Sequence, residues 1–371
     1  MRIDLHNSTF NLETAVPEAA KMLLGGGIAV LPTETVYGLA ARASDEQAVH
    51  RLVRLKGRSE NNPMALAISG LKSLSEFVSD MSGLANRLAR RCLPGPVSIV
   101  LKVPPQSEFF NLPEYVQKLC SKDGFVSFRV PQHFFTFPVL QKLDEPLVLT
   151  SANRSGEKEL TDINSLASVF GNEVDFIADD GDAANKKPST VVKIDGENYS
   201  ILRQGAVSAE TIQRLTAKMI LFVCTGNTCR SPMAERICEK LLAEHFHCSP
   251  DELERFGYVV LSAGLAAGSQ PASQNAIEVL ADKGIDLSNH CSQLLRETHV
   301  RYADYIFTMT RAHRETILSA FPDADTCMSV LRIDGGDVAD PFGGSLSEYQ
   351  MCAAQIESEI AKRLKTMGLH K

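Results

Sequence analysis

The stretch "LFVCTGNTCRSPMAE" (221–235) decides how the second half of the chain is read. It continues an apolar run of β type, "MILFVC" from Met219, of the kind buried in parallel sheets. The run breaks at Cys224 into a loop of Thr225, Gly226, Asn227, Thr228 and Cys229, in which glycine and asparagine tolerate positive φ. Ser231 and Pro232 then open a helix, with Ser231 expected as its N-cap and Pro232 in its first turn. Met233, Ile237 and Leu241 lie on one face of that helix. A strand–loop–helix turn of this form aims backbone N–H groups inward above a helix N-terminus, which makes an anion site. Arg230 adds a two-pronged phosphate donor. The same field favours a thiolate at Cys224, so nucleophile and phosphate cradle share one short loop. Cys224 and Cys229 can also be read as a disulfide or as part of a metal site. Zinc is disfavoured, because no second ligand pair has suitable spacing.

Strand–helix alternation continues outward from this loop. Helices are expected at 232–246, 271–284, 311–321 and 346–366, and strands at 258–262 and 304–309. The order predicts a doubly wound parallel sheet over 219–371. Upstream, "ETAVPEAAKMLLGGG" reads as a helix closed by glycines, and "SLSEFVSDMSGLANRLARRCL" as another. "IAVLPTETVYGL", "MALAIS", "VSIVLKV", "FVSFRV", "PLVLTSA", "DFIADDG" and "STVVKID" carry short runs of strand type. The class is therefore α/β in both halves, with domains at 1–207 and 219–371 and a short polar linker at 208–218.

Bulk properties exclude several classes. With 44% hydrophobic and 22% charged residues among 371, the composition is that of a globular protein. The net charge is −7; up to residue 210 there are 22 basic and 25 acidic side chains, and beyond it 16 and 20. Neither half is a basic body, so stable direct nucleic-acid binding is not expected. Nine cysteines without a C-x-x-C pair suggest reduced thiols and a cytoplasmic protein. The first residues lack the apolar core of a signal peptide, and no apolar run is long enough to span a membrane.

"VCTGNTCRSPMAE" resembles the signature loop of the low-molecular-weight protein tyrosine phosphatases. The likeness runs over 219–368 and includes "SAG" (262–264), "GIDLSNHCSQ" (284–293), "ADYIFTMTRAH" (303–313) and "DPFGGS" (340–345). It implies Cys224 as nucleophile, Arg230 as phosphate clamp, Ser231 as donor to the thiolate, Asn227 as holder of the loop and Asp340 as general acid. It implies attack on phosphorus, protonation of the leaving atom, then hydrolysis of a phosphocysteine, with no cofactor. Under oxidation, Cys229 would pair reversibly with Cys224. Thr228, a small polar residue, together with "DPFGGS" is similar to the bacterial protein-arginine phosphatases of this family, which makes phosphoarginine the leading substrate over phosphotyrosine. Phe342 would wall the entrance. The arsenate reductase branch is disfavoured, because Cys291 and Cys327 are too far apart in sequence.

The first half has neither a Walker loop nor G-x-G-x-x-G. It does scatter hydroxyls and cations at strand ends, in "PTETVYG" (32–38), "KGR" (56–58), "SFRVP" (127–131), "TSANRSG" (150–156), "PSTVV" (188–192) and "LRQG" (202–205). From the residues alone this is an anionic-ligand pocket. As an ordered set the strings resemble the YrdC-like L-threonylcarbamoyl-AMP synthases over about residues 10–208. The resemblance implies a twisted α/β sheet with a ligand cavity. It also implies a reaction of L-threonine, bicarbonate and ATP, with Mg2+ expected on the triphosphate, whose product feeds the tRNA t6A modification machinery. Lys56, Arg58, Ser151, Asn153, Ser189 and Arg203 would contact ATP, Thr35 would sit at the threonine site, and Arg129 at the threonine carboxylate or the phosphates. Ser59 stands where a proline commonly follows the Lys-x-Arg element. A double-stranded RNA-binding module is the different-class alternative, and the charge of the first half weighs against it.

Overall fold

The computed structural model describes residues 1–57, 63–183 and 185–369. The chain divides into two compact units, 1–212 and 213–371.

The first unit is built on a mixed sheet. Among the described residues its strands are β1 (Arg2–Asp4), β2 (Ala29–Leu31), β3 (Gly38–Arg42), β4 (Ala65–Ala67), β5 (Val97–Lys102), β6 (Ser121–Lys122), β7 (Phe125–Arg129), β8 (Leu147–Ser151), β9 (Phe176–Asp179), β10 (Thr190–Asp195) and β11 (Asn198–Arg203). They lie in the order β1-β9-β2-β3-β8-β4-β7-β5-β10-β11, with β6 paired to the start of β7. Helices Leu12–Leu24 and Thr136–Leu143 cover part of the sheet through Ala19, Leu23, Val139 and Leu140, all fully buried. The expected helix over 73–93 is in fact two, Leu71–Phe77 and Gly83–Cys92. Ser82 breaks it by leaving helical geometry and accepting a hydrogen bond from the Ala85 N–H. Strand β1 has no marked sequence signal; its ladder with β9 supplies one.

Two connections position the first site. The antiparallel β2–β3 pair is joined by residues 32–37, which carry Thr33, Glu34 and Thr35. The segment after β11 is strapped to β10, where Thr190 Oγ1 accepts from the N–H groups of Gly205 and Val207 at 3.0 Å each. Residues read as linker from 208 onward include the helix Ala209–Thr216.

The second unit is a parallel four-stranded sheet, β12 (Lys218–Cys224), β13 (Tyr258–Gly264), β14 (Tyr305–Thr308) and β15 (Met328–Val330), in the order β13-β12-β14-β15. Alternation along β12 shows why it is apolar throughout. Ile220 and Phe222 join a core with helices Arg230–Phe246, Gln274–Ala281 and Leu346–Thr366, while Leu221 and Val223 join a second core with helices Glu297–Tyr302 and Arg311–Ala320. Each such fully buried side chain contributes about 1.5–3 kcal/mol. Strand β15 was not anticipated; three residues between a 3-10 turn and a loop give too little pattern.

Candidate active sites

In the second unit, β12 delivers Cys224 to the edge of the loop and Asn227 turns the chain back, at φ 54°. Asparagine adopts this left-handed geometry more readily than most residues. The turn aims the Asn227 N–H at Cys224 Sγ, 3.2 Å away. The helix begins at Arg230 with Cys229 in the capping position, so Ser231 is not the N-cap. Its hydroxyl lies 2.9 Å from Cys224 Sγ and accepts from Asn227 Nδ2 at 2.9 Å. The hydroxyl, which also lies 3.5 Å from the Ala263 carbonyl, is placed to give its proton to a Cys224 thiolate.

Asn227 is held from every side. Its amide also donates to Ser262 Oγ at 2.8 Å, its side-chain oxygen accepts from the Gln293 N–H at 2.9 Å, and its carbonyl accepts from His290 Nε2 at 2.8 Å. Ser262 in turn donates to Glu235 at 2.5 Å. Burial pushes the Glu235 carboxyl up and holds the His290 imidazole down. Gly264 is required beside the loop, since a Cβ there would sit 2.6 Å from the Thr225 carbonyl. The Leu265 and Ala266 N–H groups tie down the carbonyls of Cys224 and Thr225 at 3.0 and 2.9 Å.

Arg230 is buried, pairs with Asp340 at 2.5 Å and donates to the Val338 carbonyl at 3.2 Å. The N–H groups of Gly226 and Thr228 have no acceptor among the described residues. Cys229 forms no disulfide; its Sγ lies 3.2 Å from Tyr349 Oη and 3.4 Å from Ser273 Oγ. Burial pushes the Tyr349 hydroxyl up to about 12. Thr228 is half-buried with its hydroxyl 3.6 Å from Cys229 Sγ. Phe342 is 75% exposed.

In the first unit, Arg129, Ser151, Ser189 and Arg203 line one cavity of about 560 Å³, walled by β3, β4, β5, β7, β8, β10 and β11. Lys56 lies behind one side, donating to the Ser151 carbonyl at 2.6 Å and to Asn153 Oδ1 at 2.5 Å. Ser151 Oγ also donates to Asn153 Oδ1 at 2.6 Å. Opposite, Arg203 Nη2 donates to the Ser189 carbonyl at 2.9 Å, and Ser189 Oγ meets Ser98 Oγ at 2.9 Å. Arg129 Nη2 reaches Thr35 Oγ1 at 2.5 Å, Thr33 Oγ1 at 3.1 Å and Glu34 Oε1 at 3.0 Å. Its Nε is buried with no partner among the described residues. Arg58 and Ser59 lie outside the described residues.

Several residues that build these sites were not singled out from sequence: Glu34 in the first, and Glu235, Ser262, His290 and His313 in the second. All five lie inside the motif strings, Glu34 in "PTETVYG", Glu235 at the end of "VCTGNTCRSPMAE", Ser262 in "SAG", His290 in "GIDLSNHCSQ" and His313 in "ADYIFTMTRAH".

Comparison with known proteins places each unit in a family. The Sua5/YciO/YrdC family model, described as telomere recombination, matches residues 21–205, and the low molecular weight phosphotyrosine protein phosphatase model matches 219–370. A Pyrococcus abyssi threonylcarbamoyl-AMP synthase is 31% identical over 201 residues, 54% of this chain and 57% of that relative, so the chain spans just over half of its length. A protein-arginine-phosphatase of Geobacillus stearothermophilus is 38% identical over 155 residues, 40% of this chain and 96% of the relative. A solved P. abyssi Sua5 structure covers 73% of this chain and 91% of its own, with a TM-score of 0.52 at 22% identity, which speaks to the fold alone. No helix among the described residues is long and apolar enough to cross a membrane. The chain belongs to two enzyme families at once, joining a threonylcarbamoyl-AMP synthase domain of the Sua5/YciO/YrdC family to a low-molecular-weight phosphatase domain.

Proposed function

We propose that the first unit condenses L-threonine, bicarbonate and ATP to threonylcarbamoyl-adenylate, pyrophosphate and water, and that the second removes phosphate from phosphoarginine in proteins. The observation that carries the second reading is the convergence of the Ser231 hydroxyl and the Asn227 N–H on Cys224 Sγ, beside the Arg230–Asp340 pair. An entering phosphoryl group competes for Arg230 and releases Asp340 from it. Asp340, once freed from Arg230, takes a proton from solvent; Cys224 attacks phosphorus, the P–N bond breaks, and Asp340 passes that proton to the departing nitrogen. Water then cleaves the phosphocysteine, passing a proton to the Asp340 carboxylate. The polar Thr228 and the 38% identity to a protein-arginine-phosphatase support arginine over tyrosine.

In the first unit, Lys56 with Ser151 and Asn153, and Arg203 with Ser189, hold the nucleotide phosphates, and Arg129 with Thr35 holds threonine. Mg2+ entering with the triphosphate would offset its charge between Lys56 and Arg203. The adenylate then passes to tRNA-modifying enzymes in the cytoplasm.

Two assays test this. Steady-state rates on phosphoarginine and phosphotyrosine peptides should favour the former, and a strong tyrosine preference would remove the arginine reading. Pyrophosphate release from ATP and bicarbonate should require threonine, and release without that dependence would remove the synthase reading.

A further inference from the structure

His313 takes part in neither mechanism above, yet it touches the phosphate loop. Its Nε2 lies 2.9 Å from Thr225 Oγ1, one residue past the nucleophile. The ring is only 7% exposed, and its Nδ1 is buried with no partner among the described residues. A proton on Nδ1 would make an orphaned buried N–H, which folded proteins avoid more strictly than an unused lone pair. The Nε2–H tautomer follows, donating to Thr225. The ring is fixed from its own backbone, whose N–H donates to Thr310 Oγ1 at 3.2 Å in the first turn of helix Arg311–Ala320. Burial, helped by the Arg230 charge and opposed by Asp340 and Asp337, holds the imidazole below its ordinary value and so neutral.

Thr225 is exposed at the mouth of the loop, with His313 as the side-chain partner of its hydroxyl. One lone pair is taken by the imidazole. The hydroxyl proton and the second lone pair remain. We propose that Thr225, oriented by His313, reads the leaving group: its proton goes to a phosphoryl oxygen and its free lone pair accepts an N–H of the guanidinium bonded to phosphorus. A phenolic ester has no such N–H, so the contact selects for arginine. Thr225 touches substrate, and His313 is a positioning residue acting through it. The inference rests on the phosphoarginine reading.

The test uses the full chain and measures kcat/KM on a phosphoarginine peptide and on p-nitrophenyl phosphate for the parent, Thr225→Val, Thr225→Ser, His313→Leu and the Thr225→Val/His313→Leu double variant. Thr225→Val loses the phosphoryl contact on both substrates and the N–H contact on phosphoarginine alone, so its loss should be about 10-fold larger on phosphoarginine than on the aryl ester. Thr225→Ser should restore the parent's preference. His313→Leu should shift the preference the same way, and the double variant should lose no more than Thr225→Val alone. Equal losses on both substrates, or additive losses in the double variant, overturn the inference while leaving the substrate reading intact. A parent inactive on phosphoarginine overturns the substrate reading and this inference with it. The Thr225 pair decides the matter even if His313→Leu fails to fold.

Discussion

In the second unit the proposed phosphate-holding groups come from the consecutive residues 224–231, whereas in the first the proposed substrate-holding groups come from residues 35, 56, 129, 151, 153, 189 and 203 on separate strands and loops. The contiguous site gets its shape from one backbone turn, pinned at Asn227 by His290, Ser262 and Gln293. The dispersed site gets its shape from strand register, for instance Gly38 opposite Ser151 and Ala67 opposite Arg129. A loop site should therefore lose chemistry when one side chain changes, with its fold intact. A register-built site should lose fold and chemistry together.

The largest expected effect is on the loop side. Arg230→Ala should lower phosphatase kcat/KM by roughly 10²–10³-fold or more, as for removal of one fixed oxyanion donor, with a smaller loss of stability than Arg129→Ala because its partner Asp340 is half-exposed and can be solvated. A large fall in Tm would blur the contrast, and retained activity would break it. On the register side, Arg129→Ala strips a partner from Glu34 in a pair whose side chains are 9% and 14% exposed. It should destabilise the first unit by about 3–5 kcal/mol in denaturant titration. A change under ~1 kcal/mol would show that Glu34 is not fixed by this arginine.

Smaller effects probe what the loop leans on. Gly264→Ala places a Cβ 2.6 Å from the Thr225 carbonyl and 3.0 Å from Asn227 Cβ. It should cost about 1–3 kcal/mol of stability in the second unit and slow dephosphorylation. Smallest is a pH effect remote from the nucleophile. Burial pushes the Glu239 carboxyl up to about 7 although Arg236 lies 2.7 Å away. A carboxyl raised on folding binds its proton more tightly in the native state, so stability is full below the ordinary value near 4.5 and falls as pH rises towards 7. Glu239→Gln should flatten that slope in urea titrations at pH 5 and pH 7.5, and an unaltered slope would locate the titration elsewhere.

The same contrast explains what could be read from sequence. The phosphatase loop was legible because strand, turn and helix occupy one string, each with its own residue preferences. Ser231 is placed at the cap by its type, and only the structure shows that the helix starts two residues earlier and sets that hydroxyl beside sulfur. Glu235 looks like any helix-surface carboxylate until Ser262 reaches it from a neighbouring strand. In the first unit the strings suggested an anion pocket, but the Glu34–Arg129 pair depends on how the 32–37 connection meets β7, which no local pattern encodes. The break at Ser82 was missed because apolar spacing runs through it from Leu74 to Leu88.

The central claim is that one chain carries two chemically separate active sites. The most direct measurement assays Cys224→Ser and Lys56→Ala, each in the full chain, for both phosphoarginine hydrolysis and threonine-dependent pyrophosphate release. The account predicts that Cys224→Ser loses hydrolysis by about 10⁴-fold or more while pyrophosphate release stays at the parent's rate, and that Lys56→Ala shows the reverse pattern. Hydrolysis that survives in Cys224→Ser, or loss of both activities in both variants, would contradict it.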